Sequence, residues 1–139
     1  MLDGILMAAG LLADACVLRR YDPDAATLRI TRHRGLTPQY VTSFATVETG
    51  PATACGIAAT TGRTVVVDDV TRSPILAGKP VRDALLAAGS RAVQAYPLHD
   101  GRGRLLGVLS FHDRTTAPRG RNRELIAWCA ARALAGLPG

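Results

Sequence analysis

Apolar residues recur at helical spacing at both ends of the chain. Near the N-terminus they are three and four positions apart, which predicts a helix over residues 2–13 with the acidic Asp3 in its first turn. The apolar positions are Leu2, Ile5, Leu6, Ala9 and Leu12. The same spacing near the C-terminus predicts a helix over residues 121–135 that ends at Gly136. Its apolar stripe is Leu125, Ile126, Cys129, Ala130, Ala133 and Leu134.

Between these helices, short apolar segments are typical of β-strands. They cover residues 15–21, 27–34, 63–68, 91–98 and 104–112. Turn residues at 22–24 and 100–103 join neighbouring strands as hairpins. Residues 27–34 alternate between polar and apolar, so we expect a half-exposed strand at the sheet edge. Three consecutive valines in residues 63–68 predict a strand covered on both faces.

The middle of the chain also contains predicted helices. Thr53 is a suitable N-cap for a helix over residues 54–61, and Gly62 is a suitable C-terminal stop. A second helix is expected over residues 81–88, and residues 35–51 read as a long connection with a short helix near 38–44. Strands joined by hairpins predict an antiparallel sheet, with the two terminal helices covering one face and the middle helices covering the other.

Length and composition fit one globular domain. The chain has 139 residues, of which 47% are hydrophobic and 20% are charged. The longest uncharged run, residues 49–62, is too short and too polar to span a membrane. Asp3 stands where a signal peptide would carry a basic residue, so the first helix is read as structural and the protein as cytoplasmic.

The net charge of +6 is unevenly distributed. Residues 1–70 contain six basic and seven acidic residues, whereas residues 71–139 contain eleven basic and four acidic residues. A basic C-terminal half is compatible with an acidic partner or simply with a solvated, arginine-rich surface. The low aromatic content of 4% disfavours binding to single-stranded nucleic acid.

The sequence contains no recognisable enzyme motif or metal-binding pattern. Three cysteines, Cys16, Cys55 and Cys129, are far apart and odd in number, so neither a disulfide framework nor a zinc site is indicated. The histidines at positions 33, 99 and 112 are isolated in sequence, without the converging partners that a haem or metal site would need.

Two segments resemble a known family. The run CGIAATTGRTVVVDDV over residues 55–70 resembles the middle of a GAF domain, and so does Tyr96-Pro97-Leu98 followed by Asp100-Gly101 and the strand LLGVLS over residues 105–110. The resemblance covers nearly the whole chain. It implies a single GAF-like α+β domain over residues 1–139, with a central antiparallel sheet of five or six strands. The N- and C-terminal helices would lie on one face, and pocket-covering helices and loops on the other.

The resemblance also implies a function. GAF domains are usually cytoplasmic sensory modules in signal transduction that bind a small molecule, dimerise through their end helices and control an output domain. The signatures of the bilin-binding and cyclic-nucleotide members are missing from this sequence, and so are the four cysteines of an iron–sulfur cluster. The expected function is therefore a non-catalytic regulatory domain whose ligand and cofactor are unknown. A ligand-free dimerisation module is one alternative.

Cys55 gives an enzymatic alternative. The free methionine-(R)-sulfoxide reductases, which are GAF-like, carry a Cys-Gly pair at a similar place. They also need a further cysteine before the next strand, but residues 74–90 contain none. Without that partner a sulfenic acid at Cys55 could not be resolved within this chain, so Cys55 is read as a packing residue.

Four residues are candidates for the ligand site. Gln94 and Tyr96 share one face of their strand, and polar side chains are poor core fillers unless they have polar company. We therefore expect both on the pocket face, with Thr53 and Cys55 as neighbours. The alternative is that backbone groups satisfy Gln94 and that Tyr96 reaches solvent.

The terminal helices are the expected dimer interface. They carry small residues that would allow close approach of a second copy: Ala8, Ala9, Ala130 and Ala133. Trp128 lies off the apolar stripe of the last helix, which places it either in this contact or against the first helix.

Overall fold

A six-stranded antiparallel sheet forms the centre of the protein. The computed structural model describes residues 1–116 and 122–138. In chain order its elements are α1 (Leu2–Gly10), β1 (Ala15–Asp22), β2 (Thr27–Arg34), α2 (Pro38–Ser43), β3 (Thr46–Glu48), α3 (Ala54–Thr61), β4 (Val65–Val67), α4 (Pro80–Ala87), β5 (Ala92–His99), β6 (Leu105–Asp113) and α5 (Arg123–Ala135). The strand order is β3-β2-β1-β6-β5-β4. This architecture confirms the predicted α+β class.

Both predicted hairpins are present, and they meet in the middle of the sheet. Strands β1 and β2 pair from Cys16–Arg34 to Asp22–Thr27, and β5 pairs with β6 along its whole length. The two hairpins are joined by the β1–β6 pairing, which runs from Ala15–His112 to Arg20–Gly107. The first and last strands are therefore central neighbours, so buried side chains from both ends of the chain can meet.

The structure corrects both expectations about edge strands. Strand β2 is not at an edge, because the three-residue strand β3 pairs with it from Thr27–Glu48 to Arg29–Thr46. This short strand lies in the segment that was read as a connection. Strand β4 is an edge strand and is not covered on both faces, since the side chain of Val66 is 45% exposed. Three valines in a row fit either position, because a β-branched residue also suits an exposed edge.

Two apolar cores lie on opposite faces of the sheet. The terminal-helix face, which α1 and α5 cover, buries Leu6, Leu18, Phe111 and Ala130. The other face, here called the cavity face, is covered by α2, α3 and α4 and buries Leu28, Val67, Leu76, Leu85 and Val93. The predicted distribution of helices over the two faces is thus confirmed.

Local chemistry sets the bounds of α3 as predicted. The hydroxyl oxygen of Thr53 accepts a hydrogen bond from the backbone N–H of Gly56 at 2.9 Å. Gly62 ends the helix in the left-handed conformation, with φ of 69°, which costs glycine little. The cap fixes the direction in which the first turn of α3 meets the sheet.

The terminal helices differ from expectation in detail. Helix α1 ends at Gly10, and the predicted start of the last helix at Arg121 lies outside the described residues. In α5 the apolar stripe is rotated: Leu125 is 59% exposed, whereas Arg123 is buried. A buried ion pair of Arg123, described below, accounts for this rotation.

Candidate functional site

The four candidate residues do not lie together. Thr53 and Cys55 begin α3 on the cavity face, as expected. Gln94 and Tyr96 do share one face of β5, but it is the terminal-helix face, while Val93 and Ala95 belong to the cavity-face core. The assignment of Gln94 and Tyr96 to the pocket face was therefore wrong.

Gln94 and Tyr96 belong to a hydrogen-bond network that includes Arg123. The guanidinium of Arg123 donates to Gln94 Oε1 at 3.0 Å, and the Tyr96 hydroxyl donates to the same oxygen at 3.2 Å. Arg123 also donates to both carboxylate oxygens of Asp113 at 2.9 Å and to the carbonyl of Leu12 at 2.7 Å. This network connects α5 to the sheet and to the end of the first helical segment. Its role is therefore structural.

A small enclosed cavity lies on the cavity face, between the sheet and the covering helices. Its volume is about 10 Å³, close to the space that a single water molecule needs. Strands β1, β5 and β6 form its floor, and α2, α3 and α4 form its walls. The lining residues are Arg19, Tyr40, Thr53, Ala54, Cys55, Val81, Leu85, Val93 and His112.

Arg19 brings a positive charge into this cavity. Its side chain is 1% exposed, and one guanidinium nitrogen donates to the carbonyl of Phe44 at 2.7 Å. The Nε–H of Arg19 is buried without a hydrogen-bond partner among the described residues. An arginine is always protonated in a protein, so this charge cannot be removed by proton loss.

Tyr40 is the neutral neighbour of Arg19. Burial raises the pKa of the Tyr40 hydroxyl to about 12, although the Arg19 charge and its hydrogen bond act in the opposite direction. The ring stacks on Phe44 with centroids 5.2 Å apart and meets His112 edge-on at 5.9 Å. The hydroxyl is therefore held beside Arg19 in its protonated form.

His112 is the second buried polar residue of the cavity. Burial, assisted by the nearby charge of Arg19, lowers the pKa of His112 to about 3, so the ring is neutral at physiological pH. Its Nδ1 lies 3.4 Å from the hydroxyl oxygen of Ser90, and its Nε2 lies 3.1 Å from that of Ser110. Both ring nitrogens therefore have a hydroxyl partner, whichever nitrogen carries the proton.

The three cysteines are distributed over both faces of the sheet. Cys55 lines the cavity, whereas Cys16 is buried in the terminal-helix core and Cys129 lies on α5. Burial raises the pKa of the Cys16 thiol to about 11. The sheet thus separates Cys55 from the other two thiols, and none of the three forms a disulfide.

Other depressions are wider but lie on the surface. One of them, of about 600 Å³, lies near the end of α5 and is lined by Arg20, Tyr21, Leu106 and Leu134, among other residues. The charged groups there are already paired: Arg20 donates to the Pro138 carbonyl at 2.9 Å, and Arg104 forms an ion pair with Asp100 at 2.9 Å. The cavity around Arg19 differs from this depression in that its guanidinium is buried and has an Nε–H without a hydrogen-bond partner among the described residues.

Neither a metal cluster nor a membrane helix is found in the described part of the chain. Within residues 1–116 and 122–138, no three His, Cys, Asp or Glu side chains come together as a metal site would require. No helix in these ranges has the length and apolar composition needed to cross a membrane.

Sequence reasoning missed Arg19 and Tyr40 and treated His112 as an isolated residue. Arg19 and Arg20 are neighbours on β1 and face opposite sides of the sheet, so residue type alone does not show which of them is buried. One usable signal was present on β6, where Ser110 and His112 alternate with the apolar Leu109 and Phe111. Such alternation in a central strand indicates a polar patch under covering helices.

Comparison with known proteins agrees with this architecture. The family model of the GAF domain matches residues 5–135. A domain of a protein described as a two-component sensor histidine kinase from Sinorhizobium meliloti is 20% identical with a TM-score of 0.68, over 97% of this chain and 89% of that chain. No curated protein matches the chain.

Two further solved structures share the fold. The free methionine-R-sulfoxide reductase of Neisseria meningitidis, solved with its substrate, is 23% identical with a TM-score of 0.68, over 95% of this chain and 74% of that chain. NreA of Staphylococcus aureus, mutated in its nitrate binding site, is 22% identical with a TM-score of 0.64, over 86% of this chain and 85% of that chain. At such identities the likeness describes the fold alone.

Proposed function

The chain belongs to the GAF domain family, and on that premise we propose that it is a non-catalytic sensory domain of signal transduction. Its small-molecule ligand would bind in the cavity lined by Arg19, Tyr40, Thr53, Cys55 and His112. The observation that carries this proposal is the burial of an unpaired guanidinium nitrogen in an otherwise enclosed space. Buried polar groups normally have partners, and a bound ligand would supply the missing one.

The gap between the covering helices α2 and α4 is the proposed route by which a ligand enters the cavity. Tyr40 lines both the cavity and a surface groove of about 390 Å³ between α2 and α4, whose other lining residues include Thr37, Ser43 and Ala84. Helix α2 has only six residues and buries one of them. Separation of α2 from α4 would open the cavity, and a ligand would hold the two helices together. That movement is the proposed signal.

Catalysis is the competing function, because a methionine sulfoxide reductase shares this fold. A thiol cycle at Cys55 would need a second thiol to resolve the oxidised sulfur. Cys16 lies in the core on the far side of the sheet, and Cys129 lies on α5 beyond it. This separation favours a non-enzymatic role. Three free cysteines also favour the reducing cytoplasm as the compartment.

A matched pair of tyrosine variants tests the position of the ligand site. A library of small anionic, neutral and cationic metabolites is screened by thermal shift against the wild-type chain, Tyr40→Phe and Tyr96→Phe. We expect a ligand whose stabilising shift is reduced in Tyr40→Phe and unchanged in Tyr96→Phe, because the two hydroxyls lie on opposite faces of the sheet. A shift that is lost only in Tyr96→Phe would place the ligand on the terminal-helix face and refute the proposal.

We further propose that the chain forms a homodimer through α1 and α5 and acts on an output domain or partner protein. Of the four small residues expected at the contact, Ala9, Ala130 and Ala133 are buried within the protomer, and Ala8 is partly exposed. The outer surface instead exposes larger side chains at Met7, Leu11, Leu125 and Trp128, with Arg132 over the Trp128 ring at 4.9 Å. Exposed apolar groups concentrated on the same two helices favour a second copy as their cover.

Light scattering tests the dimer with a control on the opposite side of the sheet. We expect Leu125→Glu to yield a monomer, because an acidic group would be buried in the contact. Gln39→Glu, which places the same charge at an exposed position on α2, a helix of the cavity face, should leave the dimer intact. A wild-type chain that is monomeric at high concentration would refute the proposed assembly.

A further inference from the structure

Among the residues that the structure describes, two guanidinium groups are buried, and they differ in how their charge is compensated. Arg123 on the terminal-helix face has the Asp113 carboxylate at 2.9 Å. Arg19 on the cavity face donates to the backbone carbonyl of Phe44 and lies beside Tyr40, and no carboxylate pairs with it among residues 1–116 and 122–138. The cavity lining contains no Asp or Glu. The site around Arg19 is therefore the one of the two that lacks a negative charge.

The other polar groups of the cavity do not offset this charge. Tyr40 keeps its proton because its pKa is about 12, and His112 is neutral because its pKa is about 3. The cavity thus carries the positive charge of Arg19, and all of its lining residues are buried. Burying a charge without a counter-charge has a high free-energy cost, which folded proteins avoid by pairing.

We propose that the ligand of this cavity is a small monovalent anion that pairs with Arg19. This inference rests on the proposed function and specifies the chemical class of its ligand. The Nε–H of Arg19 would donate one charge-assisted hydrogen bond, and the protonated Tyr40 hydroxyl beside it has an O–H to donate. The Thr53 hydroxyl, whose oxygen caps α3, has a hydrogen left to donate from the opposite wall.

The size of the cavity restricts the anion. About 10 Å³ holds one water-sized group, so a halide or a planar oxyanion of a few atoms fits with small adjustments of the side chains. Larger carboxylates and doubly charged anions fit neither the volume nor the single positive charge. The proposed class is therefore exemplified by chloride, nitrate and formate.

Unfolding of the wild-type chain in defined sodium salts is the first test. Chloride, nitrate and formate are titrated against gluconate at constant ionic strength, and the midpoint of thermal unfolding is recorded. We expect a saturating rise in this midpoint with at least one small anion, since a ligand at about 100 times its Kd shifts the folding equilibrium about 100-fold. No rise with any small anion would overturn the inference.

Formamide is the matched neutral probe for formate. It has nearly the same shape without the charge, so we expect little stabilisation from it. Equal stabilisation by formamide and formate would overturn the anion inference, while the cavity would remain the site of a small ligand. The comparison with formamide therefore distinguishes a wrong assignment of the ligand's charge from a wrong assignment of the cavity as a ligand site.

Variants of Arg19 connect the effect to this residue. We expect Arg19→Met to weaken anion binding by about tenfold or more, which is the usual effect of losing a charge-assisted hydrogen bond. Arg29→Met removes an equal charge from the exposed face of β2 and should retain wild-type binding. If Arg19→Met does not fold, Arg19→Lys keeps the charge but lacks the Nε–H, and it should also bind more weakly. Wild-type affinity in a folded Arg19 variant would overturn the proposal.

Discussion

A fall in pH from 7 to 5 is expected to destabilise the protein through His112. In the folded chain the ring is 2% exposed, lies against Tyr40 and near the charge of Arg19, and has both nitrogens next to serine hydroxyls. These surroundings lower its pKa to about 3. In the unfolded chain the ring has the ordinary histidine pKa of about 6.5. Below pH 6.5 the unfolded state therefore takes up a proton that the folded state does not.

The sign and size of the effect follow from this difference in proton binding. Stability is full above pH 6.5 and is lost as the pH falls towards 3, by about 1.4 kcal/mol for each pH unit once the unfolded state is fully protonated. Between pH 7 and pH 5 the expected loss is about 2 kcal/mol. Domains of this kind are stable by about 5–15 kcal/mol in total, so such a loss is readily measured.

Urea unfolding at pH 7, 6 and 5, followed by circular dichroism, measures this loss. The variant His112→Asn retains hydrogen-bonding capacity towards the serines but cannot be protonated. We expect it to be less stable than the wild-type chain at pH 7 and nearly independent of pH down to 5. His33→Gln, at an exposed position, serves as the matched control and should show the full wild-type loss.

Two carboxylates have lowered pKa values and titrate outside this window. The pKa of Asp69 is lowered by its hydrogen bond to Thr71, and that of Asp100 by a backbone hydrogen bond from Arg104, so both lose their contribution only at pH values below their ordinary range. The reasoning is refuted if His112→Asn loses as much stability as the wild-type chain between pH 7 and pH 5.

Three further predictions concern other parts of the molecule. Asp113→Asn should cost about 3–5 kcal/mol of unfolding free energy in urea, because it leaves the buried charge of Arg123 without its carboxylate; a cost below about 1 kcal/mol, the range of surface pairs, would contradict this. Gly56→Ala should lower stability by about 1–3 kcal/mol in a thermal melt, since the new Cβ would lie 2.5 Å from the carbonyl oxygen of Gly50; an unchanged melting temperature would be inconsistent with that close approach. Cys55→Ser should leave the fold intact and any ligand affinity within a few-fold; detection of thioredoxin-dependent reduction of free methionine sulfoxide that disappears in this variant would show that Cys55 is catalytic.

Helices and hairpins whose ends are determined by neighbouring residues could be predicted from the sequence. Helix α3 is the clearest case, because Thr53 and Gly62 act on the backbone within a few residues of themselves. The two hairpins were likewise predictable, since their turns lie between adjacent strands. The order of the elements along the chain then predicted an antiparallel sheet with the terminal helices on one face and the middle helices on the other.

Which strands lie at the sheet edges, and which of their faces are exposed, depended on pairings between segments that are distant in sequence. Strand β3 has three residues and pairs with β2 across the α2 segment, so no local pattern marks it. The exposure of Val66 depends on whether another strand lies beyond β4, which is a property of the whole sheet. Such questions are decided by contacts that are remote in sequence.

The candidate site shows the same division at the level of side chains. Period-two alternation by itself determined that Gln94 and Tyr96 share a face, because it follows from strand geometry. Which face they occupy was decided only by the tertiary structure, where Arg123 from the last helix reaches Gln94 at 3.0 Å and satisfies it. The sequence likewise determined that Arg19 lies on a strand. Only the packing of three helices over that strand, which closes the cavity to water, made its charge the central feature of the site, since a buried charge needs a partner that an exposed one does not.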